Sequence, residues 1–246
     1  MGNNMDQLKE GFEIIGLSFS DAVSECFQSY YDFLIERNRQ MNLTAITTWQ
    51  DVVEKHFLDS LSFLLFCSEA ELTGKKVLDL GTGAGFPGIP LALVLPDTRF
   101  LLTDSLKKRT VFLEELCEKL SLKNVEIIHA RAEDLAKDAH FREQFDYVVS
   151  RAVANLSVLS EYCLPFVKTG GWFCPFKTED MDAELTDADF AIDQVGGSVT
   201  SVERYVVPTT ELHRSILMIQ KKRPSPQRYP RKAGTPAKSP LKKGTG

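Results

Sequence analysis

Through the first 67 positions apolar residues fall three and four apart, the spacing of one face of a helix. In DAVSECFQSYYDFLIERNRQMN, residues 21–42, Val23, Phe27, Tyr30 or Tyr31 and Leu34 form a single stripe. After the hinge NLTAITT, a second helix is predicted from the capping-box-like start Thr48-x-x-Asp51. Its apolar positions Val52, Val53, Phe57, Leu61, Leu64 and Leu65 continue to about Cys67. From Lys75 the period changes. The strand-like runs KVLDL, RFLLTDS, VEIIHA, FDYVVSRA and GWFCPFK alternate with helices predicted at about 88–95, 106–122, 156–164 and 179–195. This alternation predicts a parallel α/β sheet whose strands are apolar enough to be buried on both faces. It then stops: GSVTSVERYVV and RSILMIQKK are joined through PTTELH, too short for a helical crossover, so they are expected to pair antiparallel.

Composition narrows the class. A chain of 246 residues with 43% hydrophobic content is long enough for one sizeable core with a smaller appendage. Cysteines 26, 67, 117, 163 and 174 are scattered and form no CxxC, so a reducing cytoplasm is expected and neither a disulfide framework nor a metal site is supported. No apolar run approaches the roughly 18 residues of a membrane span, and the start MGNNMDQLKEGF has neither a signal-peptide pattern nor a myristoylation pattern. A soluble protein without membrane contact is expected. The net charge of −5 hides a split: Lys221 to Gly246 holds nine basic residues and no acid, against 20 basic and 34 acidic residues before it. Rich in proline and glycine, that tail cannot build a core and is expected to thread along a surface or meet a polyanion. The chain is thus expected to divide into a helical extension (1–72), an α/β domain (73–222) and a basic tail (223–246).

The first strand runs into LDLGTGAGFPGIPLALVLP, with glycines at 81, 83 and 85. Gly83-x-Gly85-x-x-Gly88 matches the dinucleotide fingerprint, a weak signal alone. Asp79 at the mouth of the turn would repel a pyrophosphate, and the closing antiparallel pair differs from a double βαβαβ domain. A cationic, phosphate-free ligand such as S-adenosylmethionine would instead gain from the acid, while the glycines let backbone approach it. Asp104, ending the second strand, stands where a carboxylate takes ribose hydroxyls. Ala132 and Glu133, in ARAEDL, are placed beside an adenine unless they merely start a helix.

The fourth strand is followed by SRAVANL, which carries neither the Asn/Asp-Pro-Pro-aromatic pattern of amino methylation nor a Pro-Cys nucleophile. Cys174-Pro175 reverses that order and reads as a buried structural cysteine. Arg151 and Asn155 are placed at the reacting end: Arg151 as a clamp on a carboxylate or phosphate or else a structural ion pair, Asn155 as a base contact or a helix cap. A target needing no proton removal suits such a site, guanine N7 among them.

These stretches resemble the bacterial small-subunit rRNA methyltransferase G family, also called glucose-inhibited division protein B. The likeness spans almost the whole chain: ERNRQMNLTAIT, EKHFLDSL, LDLGTGAGFPGIPLAL, DSLKKRTVFLEEL, RAED, SRAVANLSVLSEYCLPFVKTGG and YPRKAGTPAKSPL. The resemblance implies a class I S-adenosylmethionine-dependent methyltransferase with a Rossmann-like, seven-stranded, mostly parallel sheet and an antiparallel last strand. It also implies S-adenosylmethionine as cofactor and formation of 7-methylguanosine, at rRNA position 527, in the 530 loop of 16S rRNA. By matching motif, Gly81, Phe86, Ala132, Glu133 and Arg151 are cofactor contacts, joined by Asp79, Gly83, Gly85 and Asp104 from the residue reading. Arg37 departs from the Trp of many relatives.

RNA contacts are expected at Lys107 and Lys108, cations at a helix start where the dipole disfavours them, and at Arg228, Arg231 and Lys232 flanking Tyr229. Asn42 and His56 read as polar ties between the helical segment and the sheet. Expected partners are 16S rRNA, free or within a small ribosomal subunit or its assembly intermediate, with the protein a monomer. Three other readings are open at this point: an NAD-dependent oxidoreductase, a noncatalytic RNA-binding module and a small-molecule methyltransferase.

Overall fold

The computed structural model describes residues 5–151, 154–178 and 181–243. Seven strands form one sheet: β1 (Lys76–Leu80), β2 (Arg99–Asp104), β3 (Val125–His129), β4 (Phe145–Arg151), β5 (Val167–Thr178), β6 (Gly197–Val206) and β7 (His213–Lys221). Their order is β3-β2-β1-β4-β5-β7-β6. The pairings among β1 to β5 are parallel, whereas β7 runs antiparallel between β5 and β6. The short β6–β7 connection therefore forms the expected antiparallel pair.

Alternation of side chains along each strand divides the core into two layers. Val77, Leu102, Val149, Cys174 and Ile216 pack on one face, while their neighbours Leu78, Leu101, Val148, Phe173 and Leu217 pack on the other. The second face is covered by α8 (Ala132–Leu135), α9 (Leu156–Cys163) and α10 (Asp182–Gln194). The sequence reading began α10 at 179, and 179–180 lie outside the described residues, as does Ala152 at the end of the predicted fourth strand.

The first face carries α6 (Gly88–Val94), α7 (Lys107–Lys119) and the N-terminal helices α1 (Asp6–Ile15), α2 (Asp21–Met41), α3 (Trp49–Val52), α4 (Asp59–Leu61) and α5 (Glu69–Leu72). Phe12, Phe27, Phe57, Tyr30 and Phe86 form a chain of ring contacts from α1 to the loop after β1. Arg37 lies 5.0 Å over the Phe33 ring and pairs with Glu115 at 2.8 Å. The second predicted helix is not uniform. Thr48 caps it as expected, but Val53–Leu58 is π-helical and Ser62–Leu65 is a 3-10 turn. Such bulges gather at functional sites, and this one delivers Lys55, His56 and Asp59 toward the end of β4.

The tail follows the surface as expected, but Tyr229 enters the second core layer and is only 6% exposed. It runs through Ser225 and Arg231 to the one-turn helix α11 (Thr235–Lys238).

Candidate functional site

The strand order reverses between β1 and β4, and the crevice at their carboxyl ends is where α/β folds bind ligands. Gly81, Gly83 and Gly85 all have positive φ, at 73°, 63° and 101°. At Gly83 an added Cβ would meet nothing within 4 Å, so the turn there borders open space. Its N–H donates to Asp104 Oδ2 at 3.1 Å, joining the ends of β1 and β2.

Asp79 is placed differently from the sequence expectation. It lies fully buried beneath the turn and not at its mouth, accepting from the Thr82 hydroxyl at 2.7 Å and the Gly88 N–H at 2.8 Å. Its Oδ1 has no hydrogen-bond partner, and burial pushes its carboxyl up to about 6. Asp79 therefore shapes the turn from behind.

A cleft of about 350 Å³ is lined by Gly81, Asp104, Ala132, Glu133, Tyr162 and Gly234, bringing together four predicted cofactor positions from three βα connections. Asp104 is 3% exposed and already accepts from Gly83 and Leu106 N–H groups and from Arg109. A carboxylate has about four acceptor sites, so roughly one is left for a ligand hydroxyl, where the sequence reading allowed two. Ala132 and Glu133 begin the one-turn helix α8 and line the cleft as well, so the helix-start reading and the site reading coincide.

A smaller hollow beside it, about 210 Å³, is bounded by Gly81, Gly83, Phe86, His56 and Arg151. Phe86 is stacked between Tyr30 and His56, at 5.2 and 4.3 Å, with the Arg151 guanidinium 5.2 Å from its ring. Beyond Arg151 opens a third cleft of about 410 Å³, with Lys55, Asp59, Lys177, Glu184 and Arg214 on its walls. Arg151 and His56 border both spaces, which therefore lie side by side across these two residues.

Arg151 donates to Asp59 Oδ2 at 2.7 Å and to the Lys55 carbonyl at 3.2 Å, and its guanidinium lies 3.3 Å from His56 Nδ1. His56 Nδ1 lies 3.1 Å from the Lys55 carbonyl, and its Nε2 lies 3.1 Å from Thr44 Oγ1. Burial, with the Arg151 charge, pushes His56 down to about 3, which keeps the ring neutral. Lys177 holds Glu184 at 2.7 Å and the Ala154 carbonyl at 3.1 Å. Asp59, Lys55, Lys177, Glu184 and Arg214 were missed by sequence reasoning, and His56 was read as a structural tie. The available signal was Asp59, the one charged residue between Phe57 and Phe66.

Other predicted positions are spread out. Asn155 caps α9 through the Val158 N–H at 3.1 Å, and Asn42 ends α2 in the left-handed conformation. Lys107 is exposed near Glu114, while Lys108 reaches the Met41 carbonyl. In the tail, Arg228 stacks on Tyr229 and reaches Gln194, and Lys232 is exposed. Two tail expectations need correction. Tyr229 presents no open stacking face because it is buried, and Arg231 is taken up by Glu161, whose fully buried carboxylate requires a partner. Burial pushes the Cys174 thiol up, which disfavours thiolate chemistry and fits its structural reading. Among the described residues no group of three His, Cys, Asp or Glu could hold a metal ion, and no helix is long and apolar enough to cross a membrane.

The sheet order and the glycine turn after β1 define a class I methyltransferase fold. A solved S-adenosylmethionine-dependent methyltransferase from Aquifex aeolicus shares it with a TM-score of 0.53 and 18% identity, covering 69% of this chain and 93% of its own. The family described as rRNA small subunit methyltransferase G matches residues 23–213. The protein of that name from Lachnoclostridium phytofermentans is 47% identical over 232 residues, 94% of this chain and 95% of its own. That from Alkaliphilus oremlandii is 46% identical over 239 residues, 96% and 98% respectively. The chain belongs to the rRNA small subunit methyltransferase G family.

Proposed function

We propose that this chain methylates N7 of one guanine in the 530 loop of 16S rRNA, at rRNA position 527, using S-adenosylmethionine. The observation that carries the reading is the shared walls: Gly81 lines both the glycine-turn cleft and the hollow beside it, and Arg151 and His56 line both that hollow and the third cleft. The glycine-turn cleft fits an adenosyl cofactor. Asp104 retains roughly one acceptor site for a ribose hydroxyl, Glu133 can accept from an exocyclic amine, and the turn leaves open space at Gly83. When bound, S-adenosylmethionine supplies an electrophilic methyl, taken in line by the N7 lone pair as the carbon–sulfur bond breaks and its electrons return to sulfur.

The residues of the second cleft then have orienting roles. N7 carries no proton, so neither a covalent intermediate nor a general base is required, and a neutral His56 is compatible with that. Lys55, Lys177, Arg151 and Arg214 supply positive charge for a nucleotide phosphate, while the ring stack and the Arg151–Asp59 pair fix the shared wall. Asn155 orients through its cap on α9, which begins beside this cleft. Lys107, Lys108, Arg228 and Lys232 extend the RNA contact outside it. The helical extension (1–72) braces the glycine turn and walls the third cleft through Lys55, His56 and Asp59, the domain 73–222 supplies the strand ends of both clefts, and the tail (223–246) adds Gly234 to the cofactor cleft and turns Arg228 and Lys232 toward RNA. The protein works as a cytoplasmic monomer on a small subunit or its assembly intermediate.

Calorimetric titration followed by methyl transfer tests this reading. Binding of S-adenosylmethionine but not NAD, with labelled methyl incorporated into small subunits lacking the modification, is the expected result. NAD binding, or cofactor binding without transfer to rRNA, would overturn it.

A further inference from the structure

The tail takes part in the cofactor cleft itself. Gly234 lines that cleft, and its N–H donates to Glu133 Oε1 at 3.0 Å. Its φ of +79° is open to glycine at little cost, and an added Cβ would meet nothing within 4 Å. Glu133 is 6% exposed, so the direction of its carboxylate is set by the few groups that reach it. Tyr162, also on the cleft wall, faces it: burial together with the Glu133 charge pushes the phenol up to about 12.

Charged anchors hold the segment in place. Arg231 donates from its backbone N–H and its guanidinium to Glu161, at 2.6 to 3.1 Å, and also to the Ser239 carbonyl at 2.8 Å. Glu161 is the helical neighbour of Tyr162 on α9. Arg142 donates to the carbonyls of Tyr229 and Ser225 at 2.9 Å and to that of Ala136 at 3.1 Å. Ala136 caps the helix that begins with Ala132 and Glu133. One guanidinium thus ties the tail to the helix that carries Glu133. A solubilising tail would need none of these anchors.

We propose that residues 225–239 form a strap that completes the wall of the cofactor cleft, with Gly234 as a positioning residue that aims Glu133 at the adenosyl end of S-adenosylmethionine. This rests on the cofactor reading above. Strap docking and ligand binding act on one carboxylate, so each strengthens the other by the same factor.

The test uses the full chain. Titration of the wild type with S-adenosylmethionine comes first, and absence of binding there would refute the cofactor reading, a separate outcome. With binding established, hydrogen exchange at the Gly234 amide is compared with and without saturating ligand. The strap predicts at least tenfold slower exchange at Gly234 and no change in β6. Arg231→Ala is expected to weaken S-adenosylmethionine and 5′-methylthioadenosine by the same factor of about ten, since both carry the adenosyl end, and Arg231→Lys to recover part of it. Unchanged Gly234 exchange at saturation, or wild-type affinity in Arg231→Ala, would overturn the proposal. If Arg231→Ala does not fold, the wild-type exchange measurement decides alone.

Discussion

Arg151, at the end of β4, and Asp59, at the start of α4, form an ion pair of 2.7 Å with side chains only 13% and 6% exposed. It joins the helical extension to the sheet at the wall shared by the two clefts. Removing one partner of such a pair leaves the other charge buried, at a cost of about 3 kcal/mol. Asp59→Ala is therefore expected to lower the melting temperature by roughly 6–12 °C and to reduce methyl transfer. Thermal unfolding monitored by circular dichroism checks the first, and unchanged melting would show the pair to be idle.

The glycine turn is braced from the helical extension. The fully buried Tyr30 hydroxyl donates to the Ala84 carbonyl at 2.6 Å, while its ring stacks on Phe86. Tyr30→Phe leaves that carbonyl without its donor at a cost of about 1–2 kcal/mol. The expected outcome is a several-fold rise in KM for S-adenosylmethionine, with KM for rRNA unchanged. Steady-state kinetics with each substrate varied would separate these effects.

Acid stability reports on His56. Its folded value is about 3 against an ordinary 6.5, so between these values the unfolded chain binds a proton that the folded chain does not. This group destabilises the fold progressively as pH falls below 6.5. Asp79 acts in the opposite sense: raised to about 6 from 3.8, it takes up a proton in the folded state first and adds stability as pH falls through 6. His56→Gln removes only the former. Urea unfolding at pH 7 and pH 5 should show the difference between variant and wild type moving by about 2 kcal/mol in the variant's favour. A constant difference would mean that His56 is not held neutral.

Lys177 lines the third cleft, away from the glycine turn, holding Glu184 and the Ala154 carbonyl. Lys177→Ala is expected to lower kcat for rRNA at least tenfold while leaving S-adenosylmethionine affinity within twofold of wild type. Calorimetry and single-turnover methylation on the same preparation test that split. Weakened cofactor binding would place Lys177 in the wrong half of the site.

Lys107 and Lys232 are exposed, unlike the committed Arg231. Reversing both to Glu should weaken RNA binding and flatten its salt dependence by about 0.7 to 0.9 in log–log slope per lost phosphate contact, without altering cofactor binding. An unchanged slope would remove them from the RNA face.

Strand order could not be read from the pattern, but strand existence and the parallel-to-antiparallel change could, because strands buried on both faces leave continuous apolar runs and crossover length limits direction. That Gly81, Asp104 and Glu133 gather on one cleft was legible because βα connections place glycines and acids at strand ends. Asp59 was not, since its partner is 92 residues away and one π-turn is invisible in apolar spacing. Tyr229 and Arg231 were misread for a related reason. A proline-rich basic segment looks solvated until a buried acid such as Glu161 is known to await it.

The most direct test of the account is the identity and position of the nucleoside made when methyl-labelled S-adenosylmethionine and small subunits lacking the modification are incubated with the protein. Mass spectrometry of the digested rRNA should find a single 7-methylguanosine in the 530 loop. A methyl on a carbon or an exocyclic amine, or no methyl despite bound cofactor, would contradict a site built to orient a lone pair without a base.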